Sequence, residues 1–391
     1  MAINRISEAV SEIRKVAKRD PKAAAEGAVL FLERISPALC QVDSSSGSLG
    51  SAVHSAVEDL APLIINAQVE DILRKKWLER LFDATQEDDP LYIESLGDRW
   101  GDLCTTSDIA SEWADRLKPS LLSTIRARHD GTFAFFAGGS HCYSALFKAG
   151  RHDEILTLLE NDPHPIWAYL IWGARVYAER GNIDEAISYV QTRSTRTSHS
   201  RQMAVFAEEL LLKAGRRAEA FDRYALLANQ SNSNLSTYRA LARKYPEIEP
   251  AKLLGFLVDS SGGEPGKWFA TAKTLKLFDV ATKLAWSSPC DPKTLIRAAR
   301  DHVISNPAFA MQSGLAALHW MSLGHGYELT SLDAQDAHQL TICAAEAVGQ
   351  QKEAEALIDL TLSESRPASA WMKRSLGLGP TASAAQNHRP R

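Results

Sequence analysis

Residues 167–190 read WAYLIWGARVYAERGNIDEAISYV. An apolar run ends at Arg180-Gly181, and Asp184-Glu185-Ala186 follows almost at once. This predicts two helices meeting at a tight corner, because glycine takes the left-handed conformation that ends a helix at little cost. Asp184 and Glu185 fall in the first turn of the second helix, where the macrodipole favours carboxylates. Ala186 is small enough for two antiparallel helices to approach closely.

The corner recurs. A glycine followed four and five residues later by Glu and a small or aliphatic residue is found at Gly150 (Glu154-Ile155), Gly181 (Glu185-Ala186), Gly215 (Glu219-Ala220) and Gly349 (Glu353-Ala354). The first three glycines are 31 and 34 residues apart, and the fourth lies 134 further on, near four more steps of the same length. A fixed period in this range signals a solenoid, where each helix pair buries its apolar face only against its neighbours. Lys276 stands where another corner glycine would fall, with Val280-Ala281 keeping the rhythm.

On these residues the chain resembles the tetratricopeptide repeat. Gly181 to Ala186 is similar to the start of that repeat's second helix, Tyr177 matches the aromatic of its first helix, and Tyr224 the residue after the alanine. The resemblance covers residues 136–228 well and 335–365 fairly. It departs at Ile155, which occupies a small-residue position, and in first helices that lack the Trp and Gly signatures. Residues 21–104, with the segment Val42 to Gly50 after a helix, resemble more loosely the front half of an uncharacterised bacterial helical family. That second resemblance implies no activity.

The fold expected is therefore all-α: an α-solenoid of antiparallel helical hairpins, tetratricopeptide-like, behind an N-terminal helical region. Soft boundaries fall at His129-Asp130-Gly131 and at the turn-rich run Ser260 to Gly266. They give an N-terminal helical region (1–130), clear repeats (131–260), degenerate repeats (261–375) and a disordered tail (376–391). Within the first region, helices are expected at 21–40, 51–66, 68–84, 91–103 and 107–128. Asp20-Pro21 opens the first of these, and Ser107-Asp108 caps the last.

Composition excludes more than it selects. The chain has 391 residues, 45% of them apolar, and a net charge of −4, enough for a large core without a global bias toward polyanions. No apolar run approaches the roughly 18 residues that span a bilayer, and the charged N-terminus lacks a signal-like apolar core. Five scattered cysteines fit reduced thiols, so the expected location is cytoplasmic.

Catalytic signatures are missing. There is no phosphate loop or dinucleotide fingerprint. Gly138-Gly139-Ser140-His141-Cys142 combines two glycines with three reactive groups, but neighbours on a helix point apart. No second His or Cys pair lies at ligand spacing from His141-Cys142, so neither a metal nor another cofactor is expected. His319, Trp320 and His325 read as a satisfied surface cluster. The adjacent acids Glu208-Glu209, Asp88-Asp89 and Asp153-Glu154 read as solvated faces or first-turn dipole partners. Trp172 and Tyr177 sit roughly 140° apart on one helix, so Tyr177 is assigned to the core. Trp172 either packs on the neighbouring repeat or stands in a groove as a ligand anchor.

The leading expectation is a non-catalytic scaffold or adaptor. The resemblance implies that first helices line a concave groove for a protein or peptide. It carries the groove onto Ser144, Lys148, Ile171, Arg175, Glu179, Gln202, Glu209 and Lys213. A second reading rests on residues 193–244, where ten Lys/Arg face four Asp/Glu. There Arg193, Arg196, Arg201, Arg216 and Arg217 would bind an anion, as in a nucleic-acid-associated regulator. A third is an enzyme whose site only the fold assembles. Partner identity and oligomeric state are not encoded legibly.

Overall fold

The corners take the backbone conformation that glycine was placed there to supply. In a computed structural model of the chain, Gly150, Gly181, Gly215 and Gly349 have φ of 72°, 84°, 75° and 71°. At Gly181 the preceding helix is closed by Gly181 N–H to Ala178 C=O (3.0 Å) and Asn182 N–H to Tyr177 C=O (3.0 Å), the double bond of a left-handed C-terminal cap. Lys276 adopts the same conformation at φ 61°, with Leu277 N–H bonded to Ala272 C=O at 3.0 Å. The rhythm had marked a corner there without its glycine.

The structure describes residues 2–40, 42, 47–89, 91–132, 134–193, 200–260, 262–363 and 366–378. Most of the expected tail, 379–391, and most of the loop after Cys40 lie outside these residues. Among the described residues every regular element is helical. None of these helices is long and apolar enough to cross a membrane.

The chain forms two compact units, Met1–Gly215 and Arg216–Arg391. The first holds α1 (Ala2–Ala17), α2 (Pro21–Leu39), α3 (Ser48–Asn66), α4 (Asp71–Gln86) and a 3-10 turn (Glu94–Arg99) running into α5 (Trp100–Cys104). It continues with α6 (Ser107–His129), α7 (Gly139–Lys148), α8 (His152–Glu160), α9 (Trp167–Glu179), α10 (Ile183–Arg193) and α11 (Ser200–Lys213). The second holds α12 (Arg217–Ala220), a π turn (Phe221–Ala225), α13 (Leu226–Asn229), α14 (Asn234–Lys244) and α15 (Pro250–Asp259). After a 3-10 turn (Pro265–Trp268) come α16 (Phe269–Thr274), α17 (Phe278–Ser287), α18 (Pro292–His302) and α19 (Pro307–Ser322). It ends with α20 (Ser331–Ala347), α21 (Gln351–Ser363) and α22 (Ser369–Ser375).

Packing is local in both units. A helix touches its sequence neighbour and the next but one: α6 with α7, α9 with α10, and α7 with both α5 and α9 in the first unit. In the second, α18 packs on α19 and α20, and α19 on α20 and α21. The small residues after the corners are sealed, with Ala186 and Ala220 fully buried and Ala354 almost so. Ile155 is also fully buried, so the α7–α8 pair accommodates a larger side chain at that step.

Several local expectations are corrected. Asp20 does cap α2 through its carboxylate to Ala23 N–H. The cap of α6 is Thr106, whose hydroxyl accepts from Ile109 N–H at 3.3 Å; Ser107 is the first helical residue, because Thr106 has the extended backbone a cap needs. Residues 91–103 form not one helix but the 3-10 turn feeding α5. Tyr177 is only half-buried, its ring tilted on Tyr189 at 5.3 Å, while Trp172 is buried against Phe147 at 5.6 Å. Two adjacent acid pairs are split by the chain rather than solvated together. Glu208 and Asp88 are buried, and Glu209 and Asp89 exposed; on α11 successive helical residues diverge by about 100°, whereas Asp88 lies in the loop past the end of α4 and turns inward there. Asp88 is occupied in accepting Ile93 N–H at 2.7 Å.

The corners give a paired test. A Cβ at Gly181 would meet nothing within 4 Å, so Gly181→Val incurs only the backbone cost of a left-handed branched residue, about 1–2 kcal/mol. Lys276→Gly should do the opposite, raising stability by about 0.5–1 kcal/mol as relieved strain exceeds glycine's extra entropy. Thermal denaturation of the two variants checks both signs. A destabilised Lys276→Gly protein would contradict the corner at 276.

Candidate functional site

A concavity of about 1060 Å³ in the first unit is walled mainly by α3, the 3-10 turn with α5, α7, α9 and α11, with His152 at the start of α8 and Ile183 at the start of α10 on its rim. Four acids (Glu58, Asp98, Asp102, Glu179) and four bases (Arg99, Lys148, Arg175, Lys213) line it, so the surface has no dominant sign.

Of the sequence-derived groove residues, Ser144, Lys148, Glu179 and Lys213 lie on this wall. Ile171, Gln202 and Glu209 line a second, smaller concavity of about 490 Å³ between α9 and α11, and Arg175 borders both. Ser144 contributes through packing. Its buried hydroxyl accepts Gly101 N–H at 2.9 Å and donates to Asp98 C=O at 3.2 Å, pinning α5 to α7. Gly101 is required for that approach, since a Cβ there would stand 2.3 Å from Ser144 O.

Arg175 is the side chain at the centre. Its guanidinium lies 4.4 Å over the Trp172 ring, and among the described residues it makes no hydrogen bond or ion pair. Burial lowers its pKa, and Asp98, Asp102 and Glu209 oppose that from beyond contact distance. Asp98 is exposed on the groove side; partial desolvation raises its carboxyl, with Arg175, Ser140 and Arg99 pulling it back. Arg99 is held by Glu58 on α3.

The anion-binding set divides. Arg201 lines the smaller concavity, and Arg193 lies 4.3 Å over the Tyr189 ring. Arg196 lies outside the described residues. In the second unit Arg216 pairs with Glu219 at 2.6 Å, and Arg217 with Glu247 at 2.9 Å and the Lys244 carbonyl at 2.7 Å. Those two charges are matched locally, leaving less positive potential than the sequence count suggested.

Ser140, His141 and Cys142 do not converge. Ser140 acts on the Asp98 carboxyl, the His141 Nε2 lies 3.2 Å from Thr85 Oγ1, and the Cys142 thiol faces Ala114 C=O at 3.9 Å. Burial pushes the Cys142 thiol up to about 12, unsuited to a nucleophile. No group of three or more His, Cys, Asp or Glu side chains among the described residues could hold a metal ion. His319 does belong to a satisfied cluster, between Trp286, Trp320 and Arg366.

The part of the larger concavity formed by α3, the 3-10 turn and α5 was not legible in the sequence. His54, Glu58, Asp98, Arg99 and Asp102 come from helices without corner glycines, so no repeat register pointed to their inner face. Val205 and Phe206 lie on α11, beside the predicted Gln202 and Glu209, and their spacing alone was the available signal. Comparison of the chain with protein families, with characterised proteins and with solved structures yields no significant match.

Proposed function

We propose that this chain is a helical-repeat binding scaffold whose first unit takes an extended protein segment in its concave face. In this reading the hairpins stack as a tetratricopeptide-like solenoid. The observation that carries it is the open concavity of about 1060 Å³, lined mainly by α3, the 3-10 turn with α5, α7, α9 and α11, at the upper end of the size of small-molecule pockets. Its balanced charge and aromatic floor suit a peptide, which offers both signs and apolar anchors. Side chains with catalytic potential are spent in packing, as at His141 and Cys142, which favours recognition over chemistry.

The test is capture from the native cell followed by cross-link mapping. The double variant Arg175→Ala with Lys213→Ala should lose the partner that the wild-type chain recovers, with circular dichroism unchanged. Partner cross-links in the wild-type complex should fall on α7, α9 and α11. Retained capture by the double variant would move the site elsewhere. Loss only after neutralising Arg193 and Arg201, with nucleic acid recovered, would favour the regulator reading.

A further inference from the structure

The smaller concavity between α9 and α11 is an apolar cleft with an unspent cation at its edge. At about 490 Å³ it has the size of a ligand-side-chain pocket, and half-buried Trp167, Ile171 and Val205 with buried Phe206 form its apolar surface. Its charged lining is two arginines, Arg175 and Arg201, against the single Glu209.

Arg175 is held rather than free to swing. The guanidinium lies 4.4 Å over the Trp172 ring, and its five donors meet no acceptor among the described residues. The guanidinium nitrogens of half-buried Arg175 reach solvent and are not committed to a contact partner, so an incoming carboxylate can pair with them without displacing an internal ion pair. The Trp172 face is already covered by Arg175, so it offers no platform for stacking a nucleobase.

We propose that this cleft is the specificity pocket of the scaffold for an acidic partner segment: a large apolar side chain seats against Trp167, Ile171, Val205 and Phe206 while Arg175 pairs bidentately with a neighbouring Asp or Glu. The proposal rests on the peptide-binding reading and adds the chemistry of the peptide. Charge complementarity chooses the partner, since a segment with a basic neighbour would face two arginines.

The experiment uses the full chain and four fluorescein-labelled decapeptides of Gly and Ser, carrying Asp-Phe, Asn-Phe, Asp-Ser or Lys-Phe at the centre. Fluorescence anisotropy and amide shifts on α9 and α11 report binding. Asp-Phe should bind about tenfold or more tightly than Asn-Phe, the usual margin for a charge-assisted hydrogen bond, with Asp-Ser and Lys-Phe weaker still. Arg175→Gln should erase the difference between Asp-Phe and Asn-Phe while leaving Phe preferred over Ser. Val205→Ser should weaken both Phe peptides and keep the Asp preference. Equal affinity of wild-type protein for Asp-Phe and Asn-Phe would overturn the proposal, whether or not any variant folds. So would no binding of any peptide at 1 mM, about the weakest affinity such a contact supports, or displacement of Asp-Phe by oligo(dT). If native capture succeeds while these peptides show no Asp preference, the specificity pocket falls and the scaffold reading stands.

Discussion

Asp162→Ala is expected to destabilise the first unit by about 3–5 kcal/mol, the cost of leaving a buried partner charge uncompensated. The Asp162 side chain is fully buried, the Arg128 side chain nearly so, and the two form an ion pair between the end of α6 and the α8–α9 loop. Each partner is further satisfied: Arg128 Nε donates to Ala134 C=O at 3.0 Å, and Asp162 Oδ1 accepts His164 N–H at 3.0 Å. The Arg128 guanidinium also lies 5.9 Å from the Tyr169 ring, whose hydroxyl donates to Phe136 C=O at 3.1 Å. Gly139 belongs to the same lock, because a Cβ there would stand 2.0 Å from the Tyr169 oxygen. Asp162→Asn keeps the shape but not the charge, and should therefore lose nearly as much as alanine. The double change Arg128→Met with Asp162→Leu should recover a large part of the loss, since a packed apolar pair carries no desolvation cost. Urea denaturation followed by tryptophan fluorescence, with hydrogen exchange of α6 to α9 amides, measures the effect. A loss under about 1 kcal/mol for Asp162→Ala would mean the pair is more hydrated than its burial implies.

None of this lock was visible in the sequence. Arg128 and Asp162 are 34 residues apart, and neither belongs to a corner motif. The corners themselves were legible because the left-handed conformation has a compositional mark, glycine, followed by acids that suit a helix start. Lys276 shows the limit: its φ of 61° leaves no mark in composition, and only the spacing to Val280-Ala281 gave it away. For the candidate site the same division holds. Lys148, Arg175, Glu179 and Lys213 could be placed on one face from repeat register, and they share the larger concavity. Asp98 and Arg99 sit in a 3-10 turn, whose three-residue period breaks the helical pattern that would have assigned them a side. Glu208 misled for a simpler reason. Charge predicts exposure, but its position on α11 is set by Phe206, Ala207, Leu210 and Leu211 packing inward around it.

The second large effect is a loss of stability in mild acid, carried by His141. The imidazole is 2% exposed, with Trp100 and Phe82 edge-on at 4.7 and 5.4 Å, and burial pushes its pKa from 6.5 down to about 4. The unfolded chain takes up this proton below about pH 6.5, the folded chain only below about 4. Stability linked to His141 is therefore complete above pH 6.5, falls as the pH drops from 6.5 to 4, and is flat below that. The gap of about 2.5 units corresponds to roughly 3 kcal/mol. Other groups act in the same range with different signs. Asp98 and Glu94, raised chiefly by burial, gain relative stability as the pH falls through their titration. Glu154, held at about 2 chiefly by Arg151, loses its contribution between about 4.5 and 2. The His141 share is isolated by subtracting the pH profile of His141→Gln, which keeps a polar group facing Thr85 but does not titrate. The difference between the two profiles should grow by roughly 3 kcal/mol from pH 4 to pH 6.5 and then level off. Nitrogen chemical shifts of the native imidazole offer a direct check: titration near pH 6.5 would show that water reaches the ring, and the predicted slope would disappear with it.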